Sequence, residues 1–391
     1  MTKQEVPYSS LDTPAVLVNM DKLEANIREM SQLAAEAGVK LRPHIKVHES
    51  ALIARMQIEA GACGVEVGTM AQAEAMAEAG LDDIIVAHPV YGHHKLEILK
   101  RLLNKPGLKI AVVLDMIEQA EGVSQVGQAV GRKVPVLLKL DTNSALGGFS
   151  RFGVAPGEPA LNMAKKFRRL PGIEFIGLYG HAIVGDKTPE GVDKMTFGTA
   201  SLMTETAKLL RKEGITVEHV SMGASNTFRD TCRYIKEGKF PEITELHPGN
   251  RVIGDIMYML DLGNTREACA VTVLTTVVST SRSNMAIIDA GYKTFGKDSL
   301  IADREAPGFF WKGKPSFGPI EGRPDLWLGA IGAETGYIYY KDPNKKLSIG
   351  ERLEIVPNNA TLVINIHDQL YGVRNGVVEK VIPVTGRGKG S

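Results

Sequence analysis

Between residue 40 and about residue 255, short runs rich in β-branched residues alternate with stretches of helical period, and the alternation repeats eight times. The runs are Lys40–His44, Gly64–Gly68, Ile84–His88, Lys109–Asp115, Pro135–Asp141, Phe175–His181, Val217–Gly223 and Ile243–Gly249. Near-continuous apolar runs suit strands buried on both faces, and strands separated by helices pair in parallel. The helices show in composition and period. Met70–Gly80 reads MAQAEAMAEAG and stops at Gly80, while Met195–Gly214 sets Leu202, Leu209 and Leu210 on one side. A glycine ends such a run because it accepts the left-handed backbone. Eight strand–helix units in series predict an α/β chain with a (β/α)8 barrel of the TIM type. The rival, an open doubly wound sheet, more often carries GxGxxG after its first strand, and none stands there.

The flanks differ. Ala15–Asn19 reads as a strand, and Asp21–Gly38 as an amphipathic helix with Leu23, Ile27, Met30, Leu33 and Ala34 on its apolar side. After Asp255 come short strands punctuated by turns: Cys269–Ser279, Met285–Asp289, Arg352–Val356, Thr361–His367 and Gln369–Val373. Val377–Val384 follows Asn375-Gly376, a strong hairpin signal. The expected organisation is a barrel over residues 20–255 and a C-terminal all-β domain made of residues 1–19 and 256–391. Asp303–Asp325, rich in Gly, Pro and aromatic residues, reads as a long functional loop, and Gly386–Ser391 as a mobile tail.

At 391 residues the chain is long for one domain and about right for a barrel plus a second domain. Its 46 basic and 45 acidic residues leave a net charge of +1, which gives no general pull toward nucleic acid or an anionic membrane. No apolar run approaches the roughly 18 to 20 residues of a membrane helix. The start, MTKQEVPYSSLDTP, lacks the apolar core of a signal peptide. Cys63, Cys232 and Cys269 are few and widely spaced, which suggests buried thiols in a reducing cytoplasm.

Barrel enzymes work at the C-terminal ends of their strands. The first strand ends in Arg42-Pro43-His44-Ile45-Lys46-Val47-His48, the sixth in Tyr179-Gly180-His181, the seventh in Ser221-Met222-Gly223-Ala224-Ser225-Asn226-Thr227 and the eighth in His247-Pro248-Gly249-Asn250-Arg251. After the fifth comes Leu146-Gly147-Gly148-Phe149-Ser150-Arg151-Phe152-Gly153. A lysine at a barrel mouth can have its pKa lowered and act as a nucleophilic amine. Gly-Ala-Ser-Asn-Thr and His-Pro-Gly-Asn turns offer backbone N–H groups with little bulk, which suits a phosphate. Taken singly, such a lysine is usually a solvated charge and such a histidine a structural one. Together, two anion-cradling turns and one amine are what a phosphorylated aldehyde cofactor requires.

The sequence resembles the D-threonine aldolase / D-serine dehydratase family, pyridoxal-phosphate enzymes with the alanine-racemase type of barrel (fold type III). The resemblance spans nearly the whole chain. It is carried by Asp12-Thr13-Pro14-Ala15, by Arg42-Pro43-His44-Ile45-Lys46-Val47-His48, and by Arg151-Phe152-Gly153-Val154. It continues through Gly177-Leu178-Tyr179-Gly180-His181, Gly223-Ala224-Ser225, Glu245-Leu246-His247-Pro248-Gly249-Asn250, Asp289-Ala290-Gly291, Val356-Pro357-Asn358 and His367-Asp368. It implies that Lys46 binds the cofactor as a Schiff base and later acts as a base at the substrate α-carbon. It further implies that Arg151 lies near the phenolic oxygen and Tyr179 near the pyridine ring, that Gly223, Ala224, Ser225, Gly249 and Asn250 hold the phosphate, and that His44 and His181 support the site. A homodimer is implied as well.

The pattern breaks in one place. Metal-dependent members of the family bind a divalent ion through a His-x-Cys or His-x-Asp pair just after Val-Pro-Asn. Here Asn359 and Thr361 occupy those positions, and the family's Glu-His-Gly is Glu334-Thr335-Gly336. An amide and an alcohol make a poor zinc site, although Asn359 offers an oxygen to a hard ion such as magnesium or manganese. Arg251 stands where an aromatic residue is common, and is suited either to an anionic substrate group or to an ion pair. The expected activity is a lyase or aldolase acting on a D-configured 3-hydroxy amino acid, with metal dependence altered or lost. The alternatives are an amino-acid racemase or epimerase, a D-serine dehydratase-like ammonia-lyase, and a non-catalytic carrier of the cofactor. The carriers resemble the barrel alone, so the β domain argues against the last.

Overall fold

The computed structural model describes residues 6–149, 151–262, 266–296, 310–311 and 314–390. They form two compact units, one of residues 1–26, 47–52 and 250–388, the other of residues 27–46, 53–249 and 389–391.

The larger unit is built on eight parallel strands: β2 (Lys40–Leu41), β3 (Val65–Val67), β4 (Asp83–Val86), β5 (Lys109–Leu114), β6 (Val134–Leu140), β7 (Ile173–His181), β8 (His219–Gly223) and β9 (Glu245–Leu246). Their order, β2-β9-β8-β7-β6-β5-β4-β3, is that of a sheet rolled up in sequence. It closes where His44 and Glu66 form a parallel bridge and the Glu66 N–H donates to the Pro43 carbonyl at 2.9 Å. The eight-fold alternation therefore becomes a closed (β/α)8 barrel. Helices such as Met70–Glu78, Glu158–Phe167 and Pro189–Lys212 connect the strands. The last is longer than its leucine pattern, because Thr188 caps it at Gly191 N and Pro189 supplies a helical φ at its first position.

The other unit is a sheet of eight strands. Its first strand is β1 (Ala15–Asn19), followed after the barrel strands by β10 (Val271–Ser279) and β11 (Met285–Ile288). Among the described residues, Phe310–Trp311 (β12) and Lys314–Pro315 (β13) pair with each other as a two-stranded sheet. β14 (Leu326–Ile331), β15 (Gly336–Tyr340), β16 (Arg352–Ile355), β17 (Gln369–Arg374) and β18 (Val377–Pro383) complete the set. The order is β14-β15-β11-β10-β1-β17-β18, with β16 on β10. Buried Ala15, Leu17 and Leu274 anchor it.

One local expectation fails, and strand β14 stands unread in the sequence, each for an identifiable reason. Thr361–His367, expected as a strand, is instead the helix Ala360–Asn365. The Asn359 side chain accepts from Leu362 N, and Ala360, Val363 and Ile364 are buried on one face, so cap and packing override the β-branched run. β14 escapes the alternating pattern because Gly329 interrupts it. Its register shifts there, and a Cβ on Gly329 would fall 1.9 Å from the Trp327 ring. Of the Asp303–Asp325 stretch that reads as a long loop, residues 303–309 and 312–313 lie outside the described residues; the described remainder carries β12 and β13 and then runs on mostly as turns. Cys63, Cys232 and Cys269 are free thiols, and burial pushes Cys63 and Cys269 up to about 12.

Candidate active site

Strands alternate their side chains, so every second residue of a barrel strand points inward. Inward positions are normally bulky and branched. Here many are polar. Register sets Lys139 beside Tyr179, Tyr179 beside Ser221, and Ser221 beside Glu245, which makes one layer of four neighbouring strands. One step nearer the C-terminal ends, His181 pairs with Gly223, and His247 donates its N–H to Met222 O.

Hydrogen bonds tie the layers together. Ser221 Oγ lies 2.8 Å from His247 Nδ1 and donates to Glu245 Oε1 at 3.3 Å. Arg42 Nε donates to Glu245 Oε2 at 2.9 Å, and its Nη1 reaches Asp83 Oδ1 at 2.6 Å. The Tyr179 hydroxyl donates to Glu66 Oε1 at 2.8 Å. His44 Nε2 lies 3.5 Å from Glu66 Oε1, and His247 Nδ1 lies 3.7 Å from Glu66 Oε2. The Tyr179 ring stacks on His247 with centroids 4.3 Å apart, and His181 continues the near-parallel series at 6.1 Å from His247. Lys139 Nζ sits 4.5 Å from the Tyr179 centroid and 4.6 Å from that of Phe152.

Lys46 lies in the turn Ile45–Val47 that follows β2, with its side chain open to solvent. The surrounding walls still exclude enough water to lower its pKa; Glu66 opposes that shift and Arg151 adds to it. Lys139 is lowered to about 8, mainly by burial. Burial first, and then neighbouring positive charge, hold His44, His181 and His247 well below the ordinary imidazole value, so all three are neutral at pH 7. Arg151 is exposed, and its charge bears on Lys46, Lys139 and His181.

The turns after β8 and β9 are stitched to each other. Gly249 N donates to Ser225 Oγ at 3.0 Å, and Ala224 N to Thr227 Oγ1 at 3.0 Å, just before the helix Phe228–Lys236. Gly223 is required: a Cβ there would meet His247 Cδ2 at 2.2 Å. Gly223→Ala is expected to displace that imidazole and cost about 1–3 kcal/mol, measured as a lower denaturation midpoint. The β7 end is held by Asn143, whose Nδ2 donates to His181 O at 2.9 Å while its Oδ1 accepts from Ile183 N at 2.8 Å.

These residues fit a phosphorylated pyridine aldehyde. An open amine follows β2, which pairs with β9, which pairs with β8. The stitched turn leads into a helix N-terminus, which favours a phosphate. Three buried polar atoms of the cluster, Glu66 Oε2, His44 Nδ1 and His247 Nε2, have no protein partner. Glu66, Lys139 and Asn143 stand in none of the strand-end or family segments singled out in the sequence, and Ser221 and Glu245 stand in such segments without an assigned role. Their signal is a charged or polar residue inside an apolar strand run, as in Val65-Glu66-Val67 and Leu138-Lys139-Leu140.

The remaining candidates lie in the β unit. Asn250 donates to Asp255 Oδ2 at 2.9 Å. Arg251 is buried, 5.8 Å from the Tyr258 ring centroid. Thr335 is half-buried in the β14–β15 turn, its carbonyl accepting from Gly332 N at 2.7 Å. Asn359 spends its Oδ1 on the helix cap, and its Nδ2 lies 3.8 Å from Met257 Sδ; Thr361 lies in the first turn of that helix. Among the described residues no group of three His, Cys, Asp or Glu side chains could hold a metal ion. Asn359, its amide oxygen given to the helix cap, and Thr361, with only a hydroxyl, make a donor pair that suits zinc poorly.

Residues 18–250 match the family described as alanine racemase, N-terminal domain, and residues 270–373 match the putative serine dehydratase domain. A D-threonine aldolase from Arthrobacter sp is 29% identical over 98% of this chain and 94% of its own length. A 3-hydroxy-D-aspartate aldolase from Paracoccus denitrificans is 28% identical over the same shares. The crystal structure of D-threonine aldolase from Filomicrobium marinum superposes with a TM-score of 0.84 at 27% identity, covering 98% of each chain.

Proposed function

The chain belongs to the alanine racemase N-terminal domain family, and from that premise we propose that it is a pyridoxal-phosphate-dependent lyase that cleaves a D-configured 3-hydroxy amino acid. The observation that carries the reading is the open Lys46 amine in the turn after β2, a strand whose neighbours end in the stitched Gly223–Ser225 and Gly249 turns. The full-length likeness to D-threonine aldolase and 3-hydroxy-D-aspartate aldolase supports it.

In this reading Lys46 anchors the cofactor through its ε-nitrogen. Gly223, Ala224, Ser225 and Gly249, with Asn250 next in the chain, would hold the phosphate, and Arg151 would serve the phenolic oxygen. When bound, the cofactor supplies an electron sink for the pair released at the substrate α-carbon. Lys46, with its lowered pKa, takes and returns a proton at Nζ. His181, neutral at pH 7, accepts the proton of the substrate β-hydroxyl at a ring nitrogen, and neutral His44 supports it from β2. Tyr179 lies one layer below His181 and would support the cofactor ring with its hydroxyl already given to Glu66. No step is assigned to a metal, because Asn359 and Thr361 make a poor site for one. The enzyme is further proposed to be a cytoplasmic homodimer; no helix among the described residues is long and apolar enough to cross a membrane.

The test is a screen of 3-hydroxy D-amino acids and their L-isomers with product identified by mass. Aldehyde release from D-isomers alone is expected, with chelator changing the rate by less than about twofold. Conversion of both enantiomers with α-hydrogen exchange would mean a racemase, and ammonia with an oxo acid would mean elimination. No turnover with either isomer would mean a carrier.

A further inference from the structure

Glu66 is the one buried carboxyl of the barrel interior that no lysine or arginine approaches to ion-pair distance among the described residues. Glu245, in the layer below, is equally buried but has the Arg42 guanidinium at 2.9 Å. Glu66 instead touches three rings from three strands. Tyr179 donates to its Oε1, His44 lies 3.5 Å from that oxygen, and His247 lies 3.7 Å from Oε2, which has no hydrogen-bond partner. We propose that Glu66 is a positioning residue of the active site, acting on Lys46 and the cofactor through Tyr179 and the imidazoles of His44 and His247. The proposal rests on the cofactor reading given above.

The physical case starts from solvation. An ionised carboxylate with no cationic partner is costly inside a barrel, so it keeps its proton. Burial is the main cause that raises Glu66 to about 8; the Tyr179 hydrogen bond lowers it, Glu245 raises it, and Lys139 and Lys46 lower it. The groups facing it are His44 and Lys46 from β2 and its turn, Lys139 from β6, Tyr179 from β7, and Glu245 and His247 from β9. At neutral pH it is therefore an uncharged hydrogen-bonding plug. It accepts from Tyr179 and fixes the ring on which His247 stacks, without drawing a proton onto either imidazole. Once ionised, it raises the affinity of Lys46 and Lys139 for their protons and leaves less of Lys46 as the free amine. Glu66 thus separates two charge states of the site.

The sign for stability follows from linkage. The folded-state value lies above the ordinary carboxyl value, so the contribution of Glu66 is complete below the ordinary range. It is lost as pH rises through about 8.

The experiment is a pH titration of the holoenzyme's visible band together with infrared spectroscopy of the acid carbonyl stretch. The wild type is expected to show a change in the band with a midpoint near pH 8 and the loss of one protonated-carboxyl signal over the same range. Glu66→Gln, which mimics the neutral acid, is expected to abolish both and to flatten the fall of the unfolding midpoint with pH. Tyr179→Phe removes a bond that favours the ionised form and is expected to move the transition upward. A purely structural role predicts no change in the titration with either variant. A band that titrates identically in Glu66→Gln, or a wild type with no protonated carboxyl at pH 7, overturns the proposal. A chain with no band at any pH overturns the cofactor reading as well, so the two failures differ.

Discussion

Lys46→Ala is expected to leave a folded, colourless protein whose turnover is lower by a factor of about 10³ or more. Lys46 is exposed on a short turn, and among the described residues it makes no hydrogen bond or ion pair that its loss would break. Substitutions at such positions usually stay within about 0.5 kcal/mol, so unchanged denaturation with lost colour would mark a chemical defect. Lys46→Arg is the sharper control. It keeps a positive charge of similar reach, but a guanidinium stays protonated and does not condense with an aldehyde. Both variants are expected to lose the visible band. If the band and turnover survive, the anchoring amine is elsewhere; Lys139, whose pKa is also lowered, is then the group to replace.

Arg42→Met is expected to carry the largest stability cost, about 3–5 kcal/mol. Arg42 is 4% exposed and bridges two acids, Glu245 at 2.9 Å and Asp83 at 2.6 Å. Its guanidinium passes where a side chain at residue 64 would stand, since a Cβ on Gly64 would fall 2.2 Å from Nη1. Methionine fills a similar volume but leaves Glu245, with no accessible surface, facing only the Ser221 hydroxyl and the Cys63 thiol. The measurement is chemical denaturation of the wild type, Arg42→Met, Glu245→Gln and the double variant. The double variant is expected to recover more than half of the loss, because the penalty comes from the stranded charge and not from missing contacts. A single variant as stable as the wild type would show that the pair is not sealed from solvent.

Much of this was readable in the chain. The barrel strands declare themselves because both of their faces are buried, so Val134–Leu140 and Lys109–Leu114 are nearly unbroken apolar runs. The Lys46 and Gly223–Ser225 segments declare themselves because strand ends in a barrel have a known use. What stayed hidden depends on long-range partners. Glu66 and Lys139 look like chance charges until closure of the sheet brings Tyr179 to one and the rings of Tyr179 and Phe152 to the other. The helix Ala360–Asn365 is hidden for the opposite reason. A single side chain, Asn359, decides it locally against a strand-like composition.

The ladder from Asp83 through Arg42, Glu245, Ser221 and His247 to Glu66 and Tyr179 also bears on how such a sequence can drift. Each member leans on its neighbour in the chain of contacts, so a lone replacement strands a charge or a hydroxyl, while a matched pair of replacements does not. Descendants of this chain are expected to inherit these seven positions as a block or to exchange them two at a time.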